Sequence, residues 1–463
     1  MGSEWTTIGA VAEVFDGPHA TPKKIDSGPY FLSISSLEAG KLDLMKSARL
    51  SEKDFVRWTR RVTPIEGDVL FSYETRLGEA ALMPANVRAC LGRRMGLLRP
   101  KRSKVIPEYL LYSYLSPQFQ GEIRTRTVPG CTVDRIPLKD LSGFPIRIPS
   151  MKEQHEVVRI LSAIDRKIEL NRQTNQTLES MAQALFKSWF VDFDPVIDNA
   201  LAAGNEIPEP LAAKAAVRRA LREQGADKTN QPHTLPDHIR QLFPSRFQFT
   251  EELGWIPEGW EAPPLYELIN LLGGGTPKTS NEEYWGGDIP WFSVVDAPAP
   301  SDVFVIDTEK SITEAGLNNS STKLLPVGAT IISARGTVGK CARVARPMAM
   351  NQSCYGVTGK GNISDSFVYY SVYLQVGDLQ QRGHGSVFNT ITRDTFIGVM
   401  VPFGGEQLTI EFEKAVSSYF SKIENNAIQS KTLTQLRDNL LPKLLSGELR
   451  IPEAEKTLDE ALA

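Results

Sequence analysis

Metal-ligand spacing is the first thing this chain lacks. Its four cysteines, Cys90, Cys131, Cys341 and Cys354, form no CxxC pair, so no zinc site is expected. The five histidines (His19, His155, His233, His238, His384) make no HxH or HExxH pattern. His155 is expected only to decorate the first turn of a helix. No run of 18 apolar residues exists, which argues against a membrane span. The polar start Met1-Gly-Ser-Glu-Trp5 does not read as a signal peptide. The expectation is a cytoplasmic chain with reduced thiols and no membrane partner.

Catalytic motifs are missing as well. Gly273-Gly-Gly-Thr-Pro-Lys278-Thr279 looks superficially like a phosphate loop. It lacks the G-x4-GK[ST] spacing, and Pro277 removes an N–H that would face a phosphate. Asp194-Pro195 sits in Phe193-Asp-Pro-Val196, not in the N/D-P-P-Y/F tetrapeptide that holds a flipped base in adenine methyltransferases. Its plainer reading is a helix-terminating proline. No carboxylate pair followed by a lysine marks a metal-dependent nuclease. Binding, not catalysis, is the expectation.

What is present says one thing twice. Phe144-Pro-Ile-Arg-Ile-Pro149 precedes a heptad-patterned helix, and so does Ile397-Gly-Val-Met-Val-Pro402. Thr21-Pro22-Lys23 is answered by Thr276-Pro277-Lys278. At 463 residues, with 41% hydrophobic and 23% charged content, the chain suits two or three soluble domains. The segments read as a mixed α/β block over residues 1–150, a helix over 151–190, a connector over 191–245, a second block over 246–403, a second helix over 404–450 and a tail over 451–463. The fold class is therefore α/β (α+β), with two globular domains, two long antiparallel coiled-coil helices and a pseudo-two-fold internal repeat.

Strand-like runs at Tyr30–Ile34, Asp68–Ser72, Phe144–Ile148, Trp291–Val295 and Thr330–Ser333 lie between Gly/Pro turns. A helix is predicted near Pro107–Leu115 and another at Leu211–Glu223. In the first long helix, Val157, Leu161, Ile164, Ile168, Asn171, Asn175, Leu178, Ala182 and Leu185 follow a 4-3-4-3 spacing. The second repeats it through Val416, Tyr419, Ile423, Asn426, Ser430, Leu433, Arg437 and Leu440. Ser150-Met-Lys-Glu153 reads as a capping box; Pro442 is expected to kink the second helix and Gly447 to stop it. Asn171 falls on Asn426 and Asn175 on Ser430, polar positions that fix register if they are buried in the seam. They can also face water where the seam opens, and each helix can instead be a core helix of its block, but two helices with the polar interruption at the same place favour an antiparallel coiled-coil spacer. About 38 residues at ~1.5 Å each make a rod of roughly 57 Å, longer than one ~34 Å turn of B-DNA.

The net charge of −3 argues weakly against nucleic acid, so its distribution matters. Residues 1–150 carry 22 Lys/Arg against 16 Asp/Glu, a net of +6; residues 246–402 carry 11 against 16, a net of −5. If both blocks bind one polyanion, the second must focus its few cations. The candidates sit in glycine-containing turns: Tyr73, Thr75 and Arg76 before Gly78, and Arg335, Thr337 and Lys340 around Gly339. Arg93 and Arg94 fall near Asn351 and Gln352. Lys23 answers Lys278, which Thr276 precedes by two residues, and Gly130-Cys-Thr132 corresponds to Gly385-Ser386, followed by Asn389. Arg and Lys read guanine or grip phosphate, Asn and Gln pair with adenine, and Tyr stacks.

Taken together, Gly274-Gly-Thr-Pro-Lys278, Tyr284-Trp-Gly-Gly-Asp-Ile-Pro-Trp291, Ala334-Arg-Gly-Thr-Val-Gly339, Met350-Asn-Gln-Ser353, Trp189-Phe-Val-Asp-Phe-Asp194 and Leu440-Leu-Pro-Lys-Leu-Leu-Ser-Gly447 resemble the specificity subunit of type I restriction-modification enzymes. The resemblance covers essentially the whole chain and is looser in the first block. It implies that each block reads one half of a bipartite double-stranded DNA target and that the helices set the spacing. It also implies two modification (methyltransferase) subunits that bind S-adenosylmethionine, and restriction (motor-nuclease) subunits that use ATP and Mg. No cofactor is expected in this chain itself. The rival reading is a scaffold or adaptor whose two domains bind non-DNA ligands on a coiled coil.

Overall fold

A computed structural model of the chain describes all residues except 1–3, 19–20, 39, 130–132, 226–234, 300, 384–389 and 463. It divides into two compact units, residues Met1–Ile168 with Lys431–Ala463, and residues Glu169–Ser430. The units do not follow the linear segments, because each draws on both long helices, Met151–Phe190 and Glu406–Ser446.

In the first unit, four antiparallel strands run in the order Ala12–Asp16, Met95–Pro100, Val69–Ser72, Ala80–Leu82. A three-stranded sheet joins Ala48–Arg49, Ile25–Phe31 and Ala89–Cys90, with the last pair parallel. Phe71, Tyr109, Tyr114 and Phe144 share one core with Val157, Leu161 and Ile164 of the first long helix and Leu433, Leu440 and Leu444 of the second. Burial of each such side chain contributes about 1.5–3 kcal/mol. The helices are thus core elements of the unit as well as a seam.

The second unit repeats the scheme. Its main sheet runs Ile269–Gly273, Cys354–Gly359, Thr330–Ser333, Cys341–Val344 and Phe304–Val305. Trp285–Phe292 pairs antiparallel with Ser311–Ile312 and parallel with Ala349–Met350, as Ile25–Phe31 does with its own neighbours. The aromatics at the end of the first long helix fill the core: Phe190 lies 4.9 Å from Phe367 and 5.5 Å from Phe412, ring centre to ring centre. Buried Arg343 ties the sheet to the second long helix. It stacks over Phe420 at 4.4 Å and donates to Ser366 Oγ at 2.9 Å, and Ser366 Oγ donates to Glu413 at 2.8 Å. Such a cation persists indoors only with partners of this kind.

The seam closes inside the second unit. Asn171 donates to Gln429 Oε1 (3.0 Å), Ser430 Oγ (3.2 Å) and Asn426 O (3.4 Å); Asn426 donates to Asn175 Oδ1 at 2.8 Å and Asn175 to Ile423 O at 3.3 Å. Contacts that fall along one helix as they rise along the other make the pair antiparallel. Asn171, Asn175 and Asn426 are each 2% exposed, so they form a buried polar cluster and do not face water. Leu161, Ile164, Ile423 and Leu433 are fully buried, while Ile168, Leu178 and Ser430 are partly so.

Several expectations need correction. Only half the capping box forms: Ser150 Oγ accepts from Glu153 N at 3.3 Å, but the Glu153 carboxylate turns to Arg147 at 3.0 Å, a stronger charged partner. Pro195 opens a helix, Asp194–Ala203, after Phe193 turns the chain in a left-handed conformation (φ 56°); proline fits the first helical turn, where its missing N–H costs nothing. The connector is therefore structured, with a second helix at Ala212–Gly225 close to the predicted one. The second long helix runs through Pro442 to Ser446 and stops at Gly447 (φ 77°). The tail is helical, Ile451–Leu462, because Ala454 and Leu458 bury against the first unit's core.

Candidate nucleic-acid interface

In the second unit, strand ends bring distant candidates to one edge of the sheet. Gly274 N donates to Cys354 O (3.2 Å) and Gly275 N to Met350 O (3.0 Å). A Cβ on Gly274 would lie 1.9 Å from Asn351 O, and one on Gly275 would lie 2.3 Å from Ser321 Oγ. These glycines serve close backbone approach, and their N–H groups point inward, which removes the phosphate-loop reading on geometry. The indoles of Trp291 and Trp285 hold the same segment by donating to Gly275 O (3.0 Å) and Lys278 O (3.4 Å). Thr276 donates to Gln352 Oε1, so the Lys278 segment and the Asn351–Ser353 turn are clasped together.

The Arg335 loop closes on the same turn: Ala334 N and Arg335 N both donate to Ser353 O, at 2.7 and 3.2 Å. Ser333 braces its base, accepting from Lys340 N at 2.8 Å and donating to Thr337 O. Gly336 (φ 73°) and Gly339 (φ 89°) make the turn possible. Thr276, Lys278, Arg335, Thr337, Lys340 and Gln352 are exposed on this edge, and Asn351 is half-buried, its Oδ1 accepting from Ser353 N at 3.0 Å. Three exposed cations, Lys278, Arg335 and Lys340, thus lie on these braced loops.

The topologically equivalent loops of the first unit are built alike but tipped differently. Arg93 and Arg94 occupy the turn between Ala89–Cys90 and Met95–Pro100, where Asn351–Ser353 sits in the second unit. Lys23 is exposed on the segment that follows Ala12–Asp16, as Lys278 follows Ile269–Gly273. In the Tyr73–Glu79 hairpin, Arg76 pairs with Glu79 at 3.2 Å and donates to Ile34 O at 3.3 Å; Arg94 pairs with Glu74 at 3.1 Å and donates to Thr75 Oγ1 at 3.0 Å. Thr75 (φ 70°) and Arg94 (φ 71°) adopt left-handed backbone, a strained state for non-glycine residues. Arg93 is exposed. Tyr73 is only 4% exposed and belongs to the core, so its ring is not offered for stacking, a correction to its reading as a surface tip. Thr132, Ser386 and Asn389 lie outside the described residues.

Two glutamines seat these loops and were not singled out from the sequence. Gln120 donates to Gly78 O (3.2 Å) and Tyr114 O (2.8 Å), and Gln380 donates to Val338 O (2.9 Å). Gly78 (φ 87°) and Gly339 press directly on them. The signal was present, since Gln120 and Gln380 recur at nearly the repeat spacing. Burial pushes the thiols of Cys90, Cys341 and Cys354 up to about 12, so they stay protonated at neutral pH and serve packing, not chemistry.

Comparison with known proteins follows the same lines. The family profile described as "Type I restriction modification DNA specificity domain" matches residues 6–180 and 257–436. The type I restriction enzyme HindI specificity subunit of Haemophilus influenzae is 30% identical over 410 residues, covering 83% of this chain and 87% of that protein. The putative type I restriction enzyme MjaX specificity subunit of Methanocaldococcus jannaschii is 20% identical over 454 residues, 94% and 91% of the two chains. Among solved structures, the type I restriction-modification S subunit from M. genitalium superposes with a TM-score of 0.54 at 15% identity, over 96% of each chain; that likeness concerns the fold.

Proposed function

Since the chain belongs to the type I restriction-modification DNA specificity subunit family, we propose that each of its blocks reads one half of a bipartite double-stranded DNA target. The long helices set the distance between the halves and dock two modification subunits. Methyl transfer from S-adenosylmethionine, and ATP- and Mg-dependent cleavage by restriction subunits, belong to the partners; this chain contributes recognition.

One observation carries the reading. The same braced loops recur on the same sheet scaffold, yet their tips differ: Arg93 and Arg94 in one unit stand where Gln352 and Ser353 stand in the other. Guanidinium groups favour guanine O6/N7 or phosphate, whereas a carboxamide pairs with adenine N6/N7. A conserved frame with different tips suits two readers of two different half-sites.

The test is to express the chain with its modification subunit and map adenine methylation across the host genome. The expected result is one motif with two specified halves around an unspecified gap. A continuous motif, or methylation without sequence preference, would refute the reading. Salt separates it from the adaptor alternative: a site neutralising 6–10 phosphates loses about 10³–10⁵ in affinity between 50 and 200 mM salt, and a largely apolar protein interface does not.

A further inference from the structure

The loop that carries Arg76 and the loop that carries Arg335 are seated by the same device. Each leaves its strand at a serine and returns after the same number of residues: Ser72 N donates to Glu79 O at 3.0 Å, and Ser333 N to Lys340 O at 2.9 Å. Each closes on a left-handed glycine, Gly78 (φ 87°) or Gly339 (φ 89°). Against each glycine stands a glutamine from a short helix, Pro117–Arg126 in the first unit and Val376–Gly383 in the second. Gln120 donates to Gly78 O at 3.2 Å, and Gln380 to Val338 O at 2.9 Å. A Cβ on Gly78 would lie 2.1 Å from Gln120 Oε1, and one on Gly339 would lie 2.7 Å from Gln380 Nε2. Each glycine therefore leaves the room that its glutamine fills.

Closing the loops does not require these glutamines. Ser72 and Ser333 already brace the bases, donating to Glu74 O at 2.8 Å and to Thr337 O. What a glutamine adds is a fixed pose. Its amide grips a main-chain carbonyl, so the grip is independent of the side chains that the loop carries. Gln120 also donates to Tyr114 O at 2.8 Å, and the Tyr114 ring packs 5.7 Å from Phe71 in the sheet. Gln380 follows Leu379, which is fully buried. The gripped carbonyls lie beside the candidate readers: Val338 between Thr337 and Lys340, and Gly78 between Arg76 and its ion partner Glu79. A hydrogen bond to a base edge weakens steeply away from its proper distance and angle, so the pose of such a loop decides how sharply it discriminates.

We propose that Gln120 and Gln380 are positioning residues for sequence readout, each fixing one loop and with it the specificity for one half-site. The inference rests on the bipartite reading above and deepens it. Q120E and Q380E keep the side-chain shape, remove the amide donor and turn a carboxylate oxygen toward the carbonyl. Q120M and Q380M keep the length and also lack the donor. Each variant lowers the melting temperature by only about 2–4 °C, the scale of one lost hydrogen bond in a unit of this size. The assay is competition binding by the complex of the chain with its modification subunit. The competitors are the duplex found by mapping the parent's methylation and duplexes with one mismatch in either half. A single mismatch costs the parent about 5- to 150-fold in affinity. In Q380E and Q380M that discrimination falls about tenfold in one half-site and stays intact in the other; Q120E and Q120M do the same in the opposite half.

Unchanged discrimination in the variants overturns the proposal. So does relaxation of both halves by one variant, or of the same half by variants of both glutamines. Equal loss of affinity for matched and mismatched duplexes assigns the glutamines to folding alone and overturns it, as does a melting temperature lowered far beyond that range in the glutamate and methionine variants alike. All of these leave the parent's two-part motif standing. A parent that methylates no two-part motif overturns the bipartite reading, and the proposal with it.

Discussion

The buried asparagine cluster offers the sharpest test of how the helix pair is specified. Asn426 Nδ2 donates to Asn175 Oδ1 at 2.8 Å, with both residues 2% exposed. N426L leaves that oxygen buried without its donor, and N175L orphans the Asn426 amide while also removing the donation from Asn175 to Ile423 O. Stranding one buried polar group costs about 1–3 kcal/mol. N175L/N426L removes both partners and replaces them with apolar volume, which is close to neutral when the shape is filled. The two single losses should therefore exceed the double loss, with a coupling of about 1–2 kcal/mol. Five of the seven tryptophans lie between residues 169 and 430, so urea unfolding followed by their fluorescence reports on the unit that contains the cluster. Additivity within about 0.5 kcal/mol would refute the argument, since independent sites add to that accuracy. A leucine pair that matches the parent in stability, but with which a co-expressed modification subunit no longer methylates at one fixed gap, would show that the cluster specifies register more than it stabilises.

Other consequences are separable. R335A should weaken DNA binding by about 1–3 kcal/mol if Arg335 reaches a base edge; R76A should cost less, because Arg76 must first leave Glu79 and the Ile34 carbonyl. A gel-shift series in which R76A is the costlier change would reverse that ranking. G274A places a Cβ 1.9 Å from Asn351 O and should destabilise by more than about 2 kcal/mol, comparable to overpacking a core; an unchanged melting temperature would contradict it. Burial raises the Glu179 carboxyl above its ordinary 4.5, and its Oε1 has no hydrogen-bond partner among the described residues. Its protonated form supports the fold fully below pH 4.5, and that support is lost as pH rises through the raised value. E179Q should therefore gain on the parent between pH 4 and pH 7, and an equal stability gap at both pH values would count against this.

The long helices, their 255-residue recurrence and the loops that answer one another were legible because each is written in local spacing. A heptad register, a Gly-containing turn and a strand run need only neighbouring residues. The pairing of Gly78 with Gly339 was legible for the same reason, and both hold left-handed backbone against a glutamine. Tertiary structure decided the rest, because the partner of a charged or aromatic side chain comes from anywhere in the chain. Tyr73 reads as a surface tip until the sheet turns it into the core. Arg76 and Arg94 read as free cations until Glu79 and Glu74 meet them. Pro195 reads as a helix stop until Phe193 turns the backbone to let it begin one. The connector helix was legible near Leu211–Glu223, but spacing alone cannot say which side of a helix is inward; here the ion pairs of Lys214 to Asp192 and Arg218 to Asp198 decide, and they leave Val217 and Leu221 in water.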